Sequence, residues 1–154
     1  MMSDDGIPLM DLVLEEIARD ECLRLLRSQA IGRLAVADHG YYPPHIVPVN
    51  FVLEEDNVLF RSDAGVKFKL SILAEHSVSF EVDEIDQGGH MAWSVVVQGR
   101  AELVGEDEAE ALEHVAWLHP LAPGDRPQLV RVVPYTITGR RLRPVPHVAG
   151  DGSH

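Results

Sequence analysis

Three short stretches of this sequence place side chains where they could hold an anion or line a ligand. In Phe60-Arg61-Ser62-Asp63-Ala64-Gly65-Val66-Lys67 an arginine and a hydroxyl sit at the end of a strand-like stretch, just before a segment with helical spacing. The first turn of a helix leaves backbone N–H groups without internal partners, and its dipole end is positive, so an anion is favoured there. Arg61 offers a planar fork of donors, Ser62 a hydroxyl and Lys67 a point charge, which together outline a phosphate cradle. The same spacing also describes a polar strand end followed by a solvated helix cap. Asp63 suits a phosphate only if it caps the helix and turns away from the ligand.

The second stretch, His45-Ile46-Val47-Pro48-Val49-Asn50-Phe51, carries a proline inside a strand pattern. Proline removes a ladder donor and marks an edge or a bulge, where freed backbone can face a ligand or simply face solvent. The third is Trp93-Ser94-Val95-Val96-Val97-Gln98-Gly99-Arg100, an aromatic and a hydroxyl leading into an apolar strand. Trp93 fits a core position as well as a cofactor wall, and Gly99 permits a bend or a close approach.

Composition narrows what these stretches can do. The 154 residues carry a formal net charge of −12, which excludes a phosphate-neutralising nucleic-acid surface, so an anionic ligand needs a local positive pocket. The only lysines are Lys67 and Lys69, close behind Arg61, so 3 of the 13 basic side chains fall together; an arginine-rich composition produces such clustering by chance as well. The 8 histidines include no pair at i,i+3 or i,i+4, and no metal site is expected. Cys22, the single cysteine, excludes an internal disulfide and reads as a small core residue. No apolar run approaches a membrane span and the acidic start lacks a signal-peptide core, so a cytoplasmic protein without membrane contact is expected.

The elements that must position these residues follow from periodicity. Residues 1–13 read as a loosely ordered lead-in. A helix is predicted from an Asp20 N-cap through Leu23, Leu26 and Ala30, stopped by Gly32. The period then changes to two: strands are predicted around Leu34–Val36, His45–Leu53 and Val58–Arg61, joined by turns at Asp38-His39-Gly40 and Glu54–Asn57. Val66, Leu70 and Leu73 describe a short amphipathic helix. Further strands are predicted at Val78–Ile85 and Met91–Val104, a helix at Asp107–Leu118, and a last strand at Gln128–Arg140 that accommodates Pro134 at an edge or bulge. The tail from Arg143 is expected to fray. Hairpin-linked strands with short helices predict an α+β, mainly β domain, an antiparallel barrel with helices packed outside. Val95, Val96 and Val97 are apolar on both strand faces, which calls for a helix or a second subunit on the outside.

Five motifs occur in order: Ile31-Gly32-Arg33-Leu34-Ala35, Pro48-Val49-Asn50-Phe51, Phe60-Arg61-Ser62 with Gly65 and Lys67, Phe80-Glu81-Val82-Asp83, and Trp93-Ser94-Val95 with Val97 and Gly99. Together they resemble the pyridoxamine 5′-phosphate oxidase-like FMN-binding split-barrel family over about residues 12–143, with residues 1–11 and 144–154 as flexible termini. That resemblance implies a split β-barrel that dimerises and holds FMN in the cleft between subunits. It implies Arg61, Ser62 and Lys67 on the flavin phosphate, Pro48, Val49 and Asn50 beside the isoalloxazine ring, and Trp93, Ser94 and Val95 completing the pocket. Arg141-Leu142-Arg143-Pro144 only superficially matches the Arg-Leu-x-Pro ending of the oxidases, so that substrate role is not carried over.

The function expected on this basis is an FMN oxidoreductase acting on an unassigned small molecule, with the electron donor also unassigned and no catalytic side chain identified. Similar barrels bind deazaflavin F420 or haem. The first would draw on Arg33, Arg100 and Arg131, the second on His45 or His90. A non-catalytic flavin-binding or sensor protein is the remaining alternative.

Overall fold

The computed structural model describes residues 10–37, 43–62, 77–88, 91–112 and 128–147. Its elements in chain order are β1 (Met10–Ile17), α1 (Arg19–Arg27), β2 (Ile31–Val36), β3 (His45–Glu54), β4 (Asn57–Ser62), β5 (Ser77–Ile85), β6 (Ala92–Leu103), α2 (Glu106–Ala111) and β7 (Gln128–Pro146). All pairings are antiparallel, in the order β1-β7-β4-β3-β2-β5-β6, and β6 also pairs with β7. That last pairing closes six of the seven strands into a barrel, leaving β1 outside the ring. The expected α+β, mainly β split barrel with short flanking helices is therefore the observed fold.

Two strands divide their pairing, and this opens the barrel along one side. Residues 45–50 of β3 pair with β2, whereas 51–54 pair with β4. Along one edge of β7, residues 128–132 pair with β4 and residues 139–146 with β1, while its other edge follows β6. β7 keeps contact with β6 through a register shift: Gly99 faces Pro134, but Gln98 faces Thr136. Tyr135 is the extra residue of this bulge, and the bulge is what accommodates Pro134 inside a long strand.

The strands follow the period-two pattern of their sequence. Leu34, Val36, Phe51, Phe60, Phe80, Val82, Val95 and Val97 point inward, and Phe51 and Phe80 meet edge to face with centroids 4.9 Å apart. One end of the core is packed by α1, whose Cys22, Leu23, Leu25 and Leu26 are buried. A smaller cluster of Leu59, Val104 and Leu129 lies apart, with Ala109 and Leu112 at α2 packed against it.

Several expectations about element ends are corrected. α1 begins at Arg19 with Ala18 as N-cap and no side-chain cap, not at an Asp20 cap; Asp20 and Glu21 instead lie in the first turn, where they complement the dipole. It ends at Arg27, where the Ser28 hydroxyl donates to Leu25 O at 2.6 Å, so Gly32 does not stop it. Gly32 lies in β2, where an added Cβ would fall 2.2 Å from Phe80 Cζ; close packing demands the glycine. The lead-in expected over residues 1–13 is replaced from Met10 onward by β1, and the fraying expected from Arg143 by a β7 that runs to Pro146. These two segments pair from Met10 with Pro146 to Ile17 with Gly139, braced by the Glu15–Arg143 ion pair and by the contact of His147 Nδ1 with the Asp11 carboxylate at 3.1 Å. Most of β1 is exposed, so no one-sided burial pattern marks it in the sequence. The predicted helix over Val66–Leu73, the Asp38–Gly40 turn and the second half of the helix predicted over Asp107–Leu118 lie outside the described residues; of the first half, α2 covers Glu106–Ala111 and Leu112 is extended. No helix among the described residues is long and apolar enough to cross a membrane.

Candidate functional site

The register brings part of the predicted cradle together. Phe51 faces Phe60, and the next residues outward along the two strands are Asn50 and Arg61, followed by Ser62. Pro48 is exposed and Asn50 and Arg61 are half-buried, while Val49 between them is 6% exposed and belongs to the core. Alternation therefore turns Pro48 and Asn50 outward and leaves Val49 only its backbone to offer a ligand. Pro48 sits in the half of β3 that has a strand partner on one side only, among the described residues. Lys67 lies outside the described residues, as does His90.

Trp93, Ser94 and Val95 lie elsewhere. On β7, Arg61 faces Leu129 and Ser62 faces Gln128, but Trp93 faces Arg141 and Ser94 faces Arg140. Along β7 the two groups are far apart, but across the sheet Asn50 opposes Ile31, Arg33 opposes both Pro48 and Glu81, and Asp83 opposes Ser94, so Asn50 and Ser94 are separated by three strand spacings, about 15 Å. Val95 is fully buried, and Trp93 packs half-buried against the core, so of this set Ser94 alternates to the outer face. Within one chain the structure thus forms two half-sites, Pro48–Asn50 with Arg61–Ser62, and Ser94 beside Trp93.

Between the half-sites stands a charged bridge. Arg33, opposite both Pro48 and Glu81, donates through Nε to Glu81 Oε2 at 3.1 Å and through Nη2 to Asp83 Oδ1 at 2.6 Å. These bonds, chiefly the one to Glu81, hold its pKa above the usual arginine value. Arg131 is gripped by Glu108 and lies 3.3 Å from Glu102, and Arg100 reaches Glu102 at 3.5 Å. The three arginines expected to serve a longer acidic cofactor tail are therefore each occupied by a carboxylate.

A third feature was not anticipated. Trp93, Ser94 and Ala92 on β6 combine with Asp83 and Ile85, Arg140 and Leu142, and Leu14 to line a groove of about 220 Å³. A neighbouring groove of about 190 Å³ is lined by Glu84, Asp86, Met91, Ala92, Trp93 and Arg141. Arg141 turns to Glu21 on α1 at 3.2 Å. Glu21 is held down to about 2 by the hydrogen bond from Arg24, with Arg141 adding to it. No local motif announces these grooves, because their residues are joined only by register across four strands.

A closed six-stranded antiparallel ring with a divided strand on each side of the opening defines a split-barrel protein. The family model of pyridoxamine 5′-phosphate oxidase matches residues 18–141, and the chain belongs to that family. It is 30% identical to the uncharacterized protein Rv0080 of Mycobacterium tuberculosis over 131 residues, 82% of this chain and 84% of the relative. Among solved structures, it is similar to the FAD binding protein from Mycobacterium smegmatis, at 34% identity and TM-score 0.65 over 85% of this chain and all of that one. A FAD-binding protein from Mesorhizobium loti gives 26% identity and TM-score 0.66, covering 86% of this chain and 98% of that one.

Proposed function

We propose that this chain binds a flavin nucleotide and uses it for redox chemistry on a small molecule. The observation that carries the reading is the outer-face junction of β3 and β4, where Pro48 and Asn50 stand beside Arg61, the residue before Ser62. A guanidinium and a hydroxyl at a strand end suit a phosphate, and an exposed proline next to an amide suits the edge of a planar ring. Lys67 is proposed as a second cation for the phosphate. Bound flavin supplies the hydride or electron transfer; the protein supplies position and electrostatics.

FMN is the first reading, because a terminal phosphate suits the strand-end position of Arg61 and Ser62. FAD is the second, favoured by the two similar solved proteins that are FAD-binding. The paired state of Arg33, Arg100 and Arg131 counts against the longer acidic tail of F420. A homodimer is part of the proposal. Pro48 lies in the half of β3 that has a strand partner on one side only among the described residues, and Ile85 and Leu14 beside Ser94 are exposed, so a second copy is proposed to cover these edges and complete the flavin cleft.

The test is an absorbance spectrum after incubation with FMN or FAD and desalting. Near-stoichiometric retention of one of them, reduced by NAD(P)H or dithionite and reoxidised by an acceptor, supports the reading. Retention without any turnover leaves a flavin-binding or sensor protein, and no retention of either flavin removes the proposal.

A further inference from the structure

The groove beside Trp93 consists of two cross-strand rows on the outer face of β5, β6, β7 and β1. Asp83, Ser94 and Arg140 oppose one another in register; two residues along each strand, Ile85, Ala92, Leu142 and Leu14 do the same. Residues two apart share a face, so the rows lie side by side: a polar strip and an apolar shelf. Ile85 and Leu14 are 67% and 56% exposed, an apolar surface left open to a ligand.

Arg140 distinguishes this groove from the rest of the surface. Arg33 is held by Glu81 and Asp83, Arg131 by Glu102 and Glu108, Arg141 by Glu21 and Arg143 by Glu15. Arg140 forms no hydrogen bond or ion pair among the described residues, although it lines the groove and its cross-strand neighbour is Glu16. Asp83, two strands away in the polar row beyond Ser94, is already engaged by Arg33 at 2.6 Å. In a chain of net charge −12, an uncommitted guanidinium beside an apolar shelf selects a ligand that is both anionic and apolar.

We propose that this groove binds a small planar carboxylic acid, its ring on the Ile85–Ala92–Leu142–Leu14 shelf and its carboxylate accepting hydrogen bonds from Arg140. Planar carboxylates match the guanidinium fork, which is why the class is a carboxylic acid rather than a diffuse anion. The volume of about 220 Å³ is below that of pockets for drug-sized ligands, which limits the ligand to one or two rings. Where flavin is bound as proposed above, Ser94 would put this acid beside the ring as a substrate. That placement rests on the flavin reading, whereas the binding itself does not.

The experiment is calorimetric titration of the full chain, as purified and after FMN loading, with 2-naphthoate and its neutral counterpart 2-naphthamide. The acid is expected to bind at least about tenfold more tightly than the amide, and Arg140→Gln to remove that difference while Arg140→Lys keeps part of it. Thermal melts confirm that the variants fold. Equal affinity for acid and amide, no saturable binding of the acid, or an unchanged acid affinity in Arg140→Gln would each overturn the proposal. Loss of FMN retention in Arg140→Gln with naphthoate binding intact would assign the guanidinium to the flavin, also overturning it. Arg61→Ala, which tests the flavin reading, is expected to leave naphthoate binding to the flavin-free chain unchanged, so the two readings fail separately.

Discussion

Replacing Gly99 by alanine tests whether the bulge that aligns β6 with β7 is as tightly built as its geometry indicates. An added Cβ would fall 2.2 Å from Val133 O, 2.8 Å from Val133 C and 2.9 Å from Pro134 Cα, against ordinary contacts of 3.4–4 Å. The obstructing atoms are backbone, so no rotamer change relieves the clash, and β7 must withdraw by about 1 Å. Overpacking of this kind costs about 1–3 kcal/mol, and the upper end applies because the atoms that move belong to a hydrogen-bonded ladder. Alanine also restricts the unfolded chain, which returns up to about 1 kcal/mol and leaves a net loss near 2 kcal/mol. For a domain of this size the melting temperature should fall by roughly 4–8 °C, followed by circular dichroism. Gly105→Ser is the control. Nothing lies within 4 Å of a Cβ there and the residue is the N-cap of α2, so serine should leave the melting temperature unchanged or raise it. An unshifted or higher melting temperature for Gly99→Ala would refute the reasoning, showing that the Val133–Pro134 segment yields without cost.

Arg61→Ala should weaken retention of FMN by about tenfold or more in equilibrium dialysis, the loss expected for one charge-assisted hydrogen bond; an unchanged dissociation constant removes Arg61 from the phosphate site. Glu21, lowered from 4.5 to about 2 by the hydrogen bond from Arg24, stabilises the fold fully above pH 4.5 and loses that contribution as pH falls toward 2. Melting temperatures of Glu21→Gln across that window should therefore lie below those of the parent chain at pH 6 and converge with them toward pH 2; parallel curves would contradict the assignment. Burial pushes the Cys22 thiol up, and its side chain is fully enclosed. It should react with a thiol reagent such as Ellman's at neutral pH only in denaturant, and rapid labelling of the native protein would show that α1 opens.

Much of the fold was legible in the sequence because the barrel strands bury one face. Leu34 and Val36, Phe80 and Val82, and Val95 and Val97 alternate with polar or half-exposed neighbours, and the period alone places them inward. β1 was not legible, since both its faces are largely exposed and its partner lies more than a hundred positions away. Gly32 was misread for a related reason: a helix stop and a close approach to Phe80 both call for glycine, and only packing distinguishes them.

The candidate site divides in the same way. The residue types at Arg61, Ser62, Pro48 and Asn50 and their place on neighbouring hairpin strands are local properties, so sequence sufficed to nominate them. That Val49 and Val95 face the core follows from strand phase. Tertiary structure alone decided that Arg33, Arg100 and Arg131 are spent on carboxylates, that Arg141 turns to Glu21, and that Arg140 stands uncommitted beside Leu14, Ile85 and Leu142. Those outcomes depend on cross-strand register between distant segments, and register is set by which strands close the barrel rather than by any residue's neighbours in sequence.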